Sequence, residues 1–159
     1  MAVTGAGLRA GPNKRFRPTK GGVAYVTLLR TADRLKSYFE TIVAPFDVTG
    51  QQYNVLRILR GAGPDGLPTL TIAERMIERA PGITRMIDRL EVKGLVVREL
   101  RPEDRRYVHC HITEKGLNLV ESLDEPVDKK NTSFRGLTGA ELDQLTILLE
   151  KVSKGLESN

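Results

Sequence analysis

The segment TIAERMIERAPGITRMIDRLEVKGLVVRELRPEDRRYVHCHIT, residues 71–113, is the most informative about the architecture of this protein. Thr71 is followed three residues later by Glu74, the pattern of a capping box, and this predicts a short helix that begins at Thr71. The apolar stripe predicted for this helix consists of Ile72, Ala73, Met76 and Ile77. A second helix is predicted to begin at Pro81, with Ala80 at its N-cap, because the first helical turn tolerates the fixed φ and missing N–H of proline.

The second helix is amphipathic. It is predicted to end at Lys93 and Gly94, a cation in the last turn followed by the residue that most easily adopts the left-handed conformation. Its apolar face consists of Ile83, Met86, Ile87 and Leu90, and its polar face of Thr84, Arg85, Asp88 and Arg89. Two helices joined by so short a turn cross steeply, as in a helix-turn-helix, and the outward polar face suits a DNA groove.

A charged hairpin follows the two helices. Residues 95–100 and 107–112 are rich in apolar and β-branched residues and predict an antiparallel ribbon. Between them, RPEDRR at 101–106 sets two acids among three arginines and contains a turn-favouring proline. We expect this ribbon to be a wing, with Thr69 and Leu70 as a short third strand.

The run MIDRLEVKGLVVRELRPEDRRYVHCHITEKG, residues 86–116, resembles the MarR family of bacterial winged helix-turn-helix regulators. In that family a D-R-L-E-x-x-G-L-V-x-R segment leads into a D-x-R wing and an L-T-x-x-G helix start. The matching residues are Asp88, Arg89, Leu90, Glu91, Gly94, Leu95, Val96 and Arg98, then Asp104 and Arg106, then Ile112 (for leucine), Thr113 and Gly116. Weaker similarity runs from about Val23 to the C-terminus. The resemblance implies a mainly α fold with a small β-wing: a winged helix-turn-helix plus N- and C-terminal dimerisation helices.

Composition narrows the class of protein. At 159 residues the chain is long enough for one domain with a substantial core, and 40% hydrophobic with 28% charged residues is typical of a soluble protein. No apolar run approaches the ~20 residues that span a bilayer, and no secretory signal is recognisable, so we expect a cytoplasmic protein. The formal charge of +5 favours a polyanionic partner such as nucleic acid. No catalytic motif is found, so an enzyme and a cofactor are not expected.

The domain organisation is predicted as follows. Residues 1–20, with glycines, prolines and several cations but no acid, form a flexible basic N-terminal arm. A disordered terminus is the preferred interpretation of this arm over one that tracks DNA. Residues 21–159 form a single domain, with dimerisation helices at 21–45 and 114–159 and the winged DNA-binding region at 49–113.

The flanking helices carry apolar seams. The first seam, which ends before Ala44 and Pro45, consists of Leu28, Ala32, Leu35, Phe39 and Ile42. The last consists of Leu142, Leu145, Leu149, Val152 and Leu156. A second copy of the chain is the simplest partner for both seams, and the resemblance implies dimerisation through these helices. The alternative is that the two helices pack on each other within one chain.

Three further signals mark helix boundaries. Capping boxes at Thr49 and Thr138 predict two helix starts, and Thr113 predicts a third. Pro126 lies inside the helix that follows Thr113 and predicts a bend or a break there.

A dimer would place two recognition helices one helical turn of DNA apart, on an inverted repeat. The DNA-binding candidates are Gly82, Thr84, Arg85, Arg89, Arg98, Arg101, Asp104, Arg105 and Arg106. Thr84 and Arg85 are expected to reach base edges, and Gly82 to let backbone amides approach a phosphate. Arg105 or Arg106 should enter the minor groove, and Arg98 and Arg101 are phosphate candidates. The resemblance assigns Asp104 to holding Arg106.

The sequence leaves two alternatives to a plain repressor open. A winged-helix protein-interaction module would pair an apolar wing with a partner protein. A redox or metal-sensing variant would use Cys110 with His109 and His111, but alternating strand residues face opposite sides, so a packed cysteine and exposed histidines near phosphate are favoured. The resemblance also implies a small-molecule effector, an aromatic acid or another ligand, bound between the dimer helices and the winged domain.

Overall fold

The computed structural model describes residues 19–100, 108–130 and 134–157. The chain divides into two compact units, residues 1–34 and 35–159. The elements are α1 (Lys20–Val43), α2 (Gly50–Ala62), β1 (Leu67–Pro68), α3 (Thr69–Arg75), α4 (Ile83–Val92), β2 (Val96–Leu100), β3 (Val108–Ile112), α5 (Glu114–Lys130) and α6 (Gly139–Glu157), with short 3-10 turns at Ala44–Phe46 and Gly63–Asp65. The predicted fold class, mainly helical with a small β-wing, is confirmed.

The first unit, in its described part, is the beginning of α1. Thr19 caps this helix, since its Oγ accepts the Gly22 N–H at 3.0 Å. The apolar side chains Val23, Tyr25, Val26, Leu28 and Leu29 are all exposed on it. The predicted stop at the far end of α1 is confirmed, because Ala44 and Pro45 begin a 3-10 turn.

The second unit contains the core. The predicted capping box of α2 is confirmed: Thr49 Oγ accepts the Gln52 N–H at 3.2 Å and Gln52 Oε1 accepts the Thr49 N–H at 3.1 Å. Thr113 caps α5 as predicted, since its Oγ accepts the Gly116 N–H at 3.1 Å. The buried apolar side chains of the core are Ile42, Val43, Val48, Tyr53, Val55, Leu56, Leu59, Ile72, Ile87, Leu90, Leu95, Val96, Cys110, Val120 and Leu123.

The first helix of the helix-turn-helix differs from its prediction. It begins at Thr69, directly after the extended residue Pro68, and no side chain caps it, so the predicted capping box at Thr71 is wrong. The helix ends at Arg75, because Met76 is already extended at ψ 139°. Ile77 therefore leaves the predicted apolar stripe and is 87% exposed.

The second helix begins two residues later than predicted. Gly82 is its N-cap and adopts φ +93°, which a non-glycine residue reaches only with strain, so Pro81 lies outside α4 and Ala80 is not its cap. The predicted C-terminus is confirmed. Gly94 has φ +70°, its N–H donates to the Glu91 carbonyl at 2.8 Å, and the Leu95 N–H donates to the Leu90 carbonyl at 2.9 Å. This pair of bonds is a Schellman motif, which ends a helix.

The three strands form an antiparallel sheet in the order β1-β3-β2. The third strand is Leu67–Pro68, two residues before the predicted Thr69 and Leu70, because Thr69 already begins α3. Leu67 lies opposite Cys110. The predicted ribbon pair is confirmed, with Val96 opposite Ile112 and Leu100 opposite Val108.

The last two helices follow their start signals. The Glu141 carboxylate accepts the Thr138 N–H at 2.8 Å, which confirms the capping box of α6. The prediction at Pro126 was a bend or a break. Helix α5 continues through Pro126, so the chain does not break there, because a proline deletes only one backbone bond. Val127 beyond it still packs on the core. No residue of α6 is buried: Leu142 and Leu145 of its apolar seam are half-buried, and Leu149, Val152 and Leu156 are exposed. None of the helices in the described ranges is both long enough and apolar enough to cross a bilayer.

Candidate nucleic-acid interface

The polar face of α4 points to solvent. Thr84, Arg85, Asp88 and Arg89 have exposed side chains, while Ile87 and Leu90 on the opposite face are fully buried. This division has a physical cause, because burial of two large aliphatic side chains fixes the rotation of a ten-residue helix about its axis. The helix thus presents a hydrogen-bonding, partly cationic surface.

The N-terminus of α4 is open. Gly82, the N-cap, is exposed, and no side chain caps this end of the helix. A Cβ built on Gly82 would meet nothing within 4 Å, so the positive φ rather than lack of space favours glycine here. The Ile83 N–H donates to the Ala80 carbonyl at 3.1 Å, so an anion could approach the positive end of the dipole and the backbone N–H groups that follow Ile83.

Arg98 on β2 does not point freely outward, as a phosphate ligand would. Its Nη1 donates to the Glu91 carboxylate at 2.6 Å, and its Nη2 donates to the Asp88 carboxylate at 2.6 Å and to the Thr84 carbonyl at 3.2 Å. Its side chain is only 22% exposed. Burial opposes the charge, but the hydrogen bond that Arg98 donates to Asp88 and the charges of both acids outweigh it and raise the pKa of Arg98. The predicted phosphate role of Arg98 stays a prediction, and in this structure the guanidinium contacts α4.

The turn that precedes α4, which contains Ile77 and Glu78, is hydrogen-bonded to α1 and α2. The Glu78 carboxylate accepts from Lys36 Nζ at 2.8 Å and from Gln51 Nε2 at 3.2 Å. The Ile77 N–H donates to the Asn54 side-chain oxygen at 3.1 Å. The hydrogen bond from Lys36, followed by that from Gln51, lowers the pKa of the Glu78 carboxyl.

The remaining wing candidates cannot be placed. Arg101, Asp104, Arg105 and Arg106 lie outside the described residues, as does Tyr107 at the predicted start of the second wing strand. Their roles stay predictions. The base of the wing, where Leu100 lies opposite Val108, leaves both of these apolar side chains exposed.

The Cys110 and histidine cluster has a structural explanation. Cys110 is fully buried, with its Sγ 3.7 Å from Thr69 Oγ. The Nδ1 atoms of His109 and His111 lie 3.1 Å from the carbonyl oxygens of Asp65 and Pro64, which can only accept, so each Nδ1 carries a proton. Within the described residues no three His, Cys, Asp or Glu side chains are grouped to hold a metal ion.

A cavity of about 710 Å³ lies in the second unit beside the turn that contains Ile77 and Glu78. Its apolar wall includes Leu35, Phe39, Ile42, Ile58, Met76 and Val127. Its polar lining includes Lys36, Gln51, Asn54, Arg57, Tyr53 and Glu78. Tyr53 is 3% exposed, and its hydroxyl has no hydrogen-bond partner of ordinary geometry among the described residues, although the Arg57 guanidinium lies close enough to interact with it. Burial raises the pKa of this phenol against the nearby charge of Arg57.

Sequence reasoning missed two of these features. The ion pairs of Arg98 with Asp88 and Glu91 depend on the rotation of α4 about its axis. The only sequence signal for them was that Thr84, Asp88 and Glu91 recur at spacings of four and three residues. The contacts of Glu78 join residues 27 and 42 positions apart, and the cavity lining runs from Leu35 to Phe134; no local pattern reports either.

Comparison with known proteins identifies the family. The MarR family model matches residues 48–108. A crystal structure of a MarR transcription factor from Planctomyces limnophilus is 44% identical with a TM-score of 0.65, and the match covers 86% of this chain and 98% of that one. The chain belongs to the MarR family. The chain is therefore related to transcription regulators and not to enzymes.

Three further similar proteins extend the comparison. The HTH-type transcriptional repressor IacR of Pseudomonas putida is 31% identical over 132 residues, which cover 82% of this chain and 78% of that protein. The uncharacterised HTH-type transcriptional regulator YkoM of Bacillus subtilis is 35% identical over 102 residues, 63% of this chain and 64% of that protein. The structure of the S. aureus MepR–DNA complex is 26% identical with a TM-score of 0.74, over 82% of this chain and 97% of that one.

Proposed function

We propose that this MarR-family chain is a sequence-specific repressor that binds an inverted-repeat operator in double-stranded DNA as a homodimer. The observation that carries the proposal is the solvent-facing polar surface of α4, held by the buried Ile87 and Leu90. The MepR–DNA complex and the repressor IacR support DNA binding and the sign of regulation.

The proposed contacts follow from the geometry of α4. Thr84 and Arg85, both exposed on its first turn, would read base edges, with arginine as the usual bidentate partner of guanine. Gly82 would let the helix N-terminus approach a phosphate. Arg89 on the same exposed face is a second base or phosphate contact. The wing residues Arg101, Arg105 and Arg106, with Asp104 holding Arg106, are proposed for phosphate and minor-groove contacts.

The homodimer is supported by apolar side chains that stay exposed on the first and last helices. On α1, Leu28 is 40% exposed, and on α6, Leu149 and Val152 are 40% and 53% exposed. Burial of one aliphatic side chain contributes about 1.5–3 kcal/mol of free energy, so a row of exposed ones on a helix is normally covered by a partner. We propose a second copy of the chain as that partner, through the helices at 21–45 and 114–159.

Arg85→Ala should weaken binding to the preferred operator by about 1–3 kcal/mol, roughly 5- to 150-fold, because a bidentate base contact is lost. Binding to random duplex should change little. The measurement is a titration of both duplexes by fluorescence anisotropy. Arg135→Ala, an exposed arginine between α5 and α6, is the matched control and should alter neither affinity. Equal losses on both duplexes would contradict base reading by Arg85.

The second candidate function is a winged-helix protein-interaction module, which the exposed Leu100 and Val108 at the base of the wing favour. A salt titration separates the two functions. Phosphate binding makes log K fall linearly with log salt, with a slope of about −0.9 for each neutralised phosphate. A flat dependence would favour the interaction module.

We further propose that an effector occupies the cavity of about 710 Å³ and releases DNA. Its apolar wall suits an aromatic or aliphatic body, and the hydroxyl of Tyr53, with Lys36 and Arg57 nearby, suits an acceptor or anionic group. An occupant that bound Lys36 would compete with Glu78, and so loosen the turn in front of α4. Small aromatic carboxylic acids are the ligand class that fits these features.

Tyr53→Phe should leave the thermal stability of the free protein unchanged or higher, because an unpaired buried hydroxyl costs about 1–3 kcal/mol. The same change should reduce the rise in melting temperature that benzoate or phenylacetate produces in the unaltered protein, since a ligand stabilises the folded state according to its affinity. Differential scanning fluorimetry measures both effects. Equal ligand shifts in the two proteins would remove Tyr53 from the ligand site.

A further inference from the structure

Two acidic side chains lie on the helix proposed to face DNA. Asp88 and Glu91 belong to α4, and their carboxylates would repel the phosphates of a bound duplex if they were left uncompensated. Both are instead bound by one guanidinium, that of Arg98, at 2.6 Å each. The cation comes from strand β2, so the pair of bonds joins the wing to the recognition helix.

The contacts of Arg98 follow one line along α4. Arg98 contacts the carbonyl of Thr84 and the carboxylates of Asp88 and Glu91, three residues that recur at spacings of four and three along α4. The third contact is with the carbonyl of Thr84, the residue before Arg85. The Arg98 main-chain N–H also donates to the Glu91 carboxylate, at 3.3 Å. One side chain therefore spans two turns of a helix that is ten residues long.

A lysine could not make the same set of contacts. The guanidinium is planar and offers donors in a fixed fork, whereas the lysine ammonium is a point charge on a flexible stem. The fork holds the two carboxylates and the backbone in one arrangement, and this fixes α4 relative to β2. With 22% of its side chain exposed, Arg98 has little surface left for a phosphate.

We infer that Arg98 is a positioning residue: it sets the orientation of the recognition helix against the wing and offsets the charges of Asp88 and Glu91. Arg98 would thereby determine sequence discrimination without touching DNA. This inference rests on the proposed function, because it needs α4 to be the surface that reads DNA.

Arg98→Lys tests the inference, since it retains the charge and removes the fork. The probes are the duplex that the unaltered protein enriches from a random pool and a scrambled duplex of the same length and composition. We expect affinity for the enriched duplex to fall about tenfold or more, the size of one lost base contact, while affinity for the scrambled duplex and the salt slope stay the same.

If Arg98 were a phosphate ligand, Arg98→Lys would be nearly neutral. Arg98→Gln would then weaken both duplexes equally and make the salt slope shallower by about 0.9. That result would overturn the inference.

Arg60→Lys is the matched control for a general loss of stability. Arg60 also donates to one carboxylate through two nitrogens, to Asp124 at 2.7 and 3.1 Å, but it joins α2 to α5 away from α4. Its side chain is 29% exposed, close to the value for Arg98. Arg60→Lys should leave the ratio of the two affinities unchanged.

Asp88→Asn provides a second variant if Arg98→Lys fails to fold. It removes one partner of the fork and keeps the Arg98 charge. A positioning role predicts a lower ratio of enriched to scrambled affinity, whereas a merely repulsive Asp88 predicts stronger binding to both duplexes with an unchanged ratio.

If the unaltered protein enriches no sequence, the proposed function fails. If it does and both variants keep its ratio, only the inference fails.

Discussion

Leu149→Gln combined with Val152→Gln should convert the protein to a monomer at concentrations where the unaltered chain is a dimer. Each side chain contributes about 1.5–3 kcal/mol when buried, and two-fold symmetry applies every substitution twice. The Kd of the dimer should therefore rise at least about 100-fold, and operator affinity should fall with it, because one recognition helix would act alone. Sedimentation velocity and operator titration measure the two effects.

Glu150→Gln is the control for this pair. Glu150 lies on α6 and is exposed, but the spacing of the helix sets it off the seam. It should leave the dimer and operator binding intact. A double variant that remained dimeric would show that the seam of α6 is not the interface. A monomeric variant that still bound the operator with full affinity would separate dimerisation from DNA recognition.

Gly116→Ala should destabilise the fold by about 2–3 kcal/mol, a fall in melting temperature of roughly 5–10 °C. A Cβ at this position would lie 2.4 Å from the Leu95 carbonyl oxygen and 2.7 Å from Ile112 Cγ1. The Leu95 carbonyl cannot simply move away, because it accepts the Thr113 N–H at 3.1 Å where the sheet meets the start of α5. Thermal unfolding followed by circular dichroism measures the loss.

Gly61→Ala is the opposite case and the control. Gly61 lies in α2, and a Cβ there would meet nothing within 4 Å. Alanine should stabilise the helix by about 0.5–1 kcal/mol, because it has the higher helix propensity. If Gly116→Ala were as stable as the unaltered chain, the close approach of α5 to Leu95 would be wrong.

Gly116 also shows what the sequence alone could supply. Its place three residues after Thr113 matched a family pattern and predicted a helix start, which the Thr113 cap confirms. The physical reason for glycine, the carbonyl of Leu95, appears only when β2 and α5 are placed in three dimensions. Local patterns therefore locate elements but do not reveal which atoms will meet.

The helix boundaries show the same difference between local sequence signals and contacts made in three dimensions. The capping boxes at Thr49 and Thr138 were predicted because their signals lie within four residues. The pattern at Thr71 has the same spacing, yet the pairing of β1 with β3 makes Pro68 the last extended residue and starts α3 two residues earlier. Tertiary pairing prevailed over a local signal at that point.

The candidate site was predictable in its residue types but not in its contacts. The exposed face with Thr84 and Arg85 follows from helical periodicity. Arg98 was assigned to phosphate because a cation beside a DNA-reading helix suggests that role. Its actual partners depend on the rotation of α4 against β2, which the burial of Ile87 and Leu90 determines.

The most direct measurement of the central claim is selection of DNA from a random-sequence duplex pool by the unaltered protein, with sequencing of the bound fraction. A dimer that reads DNA with α4 should enrich an inverted repeat whose half-site centres lie about one helical turn, ~34 Å, apart. A pool that stayed random, or that yielded one half-site with no two-fold symmetry, would contradict the claim.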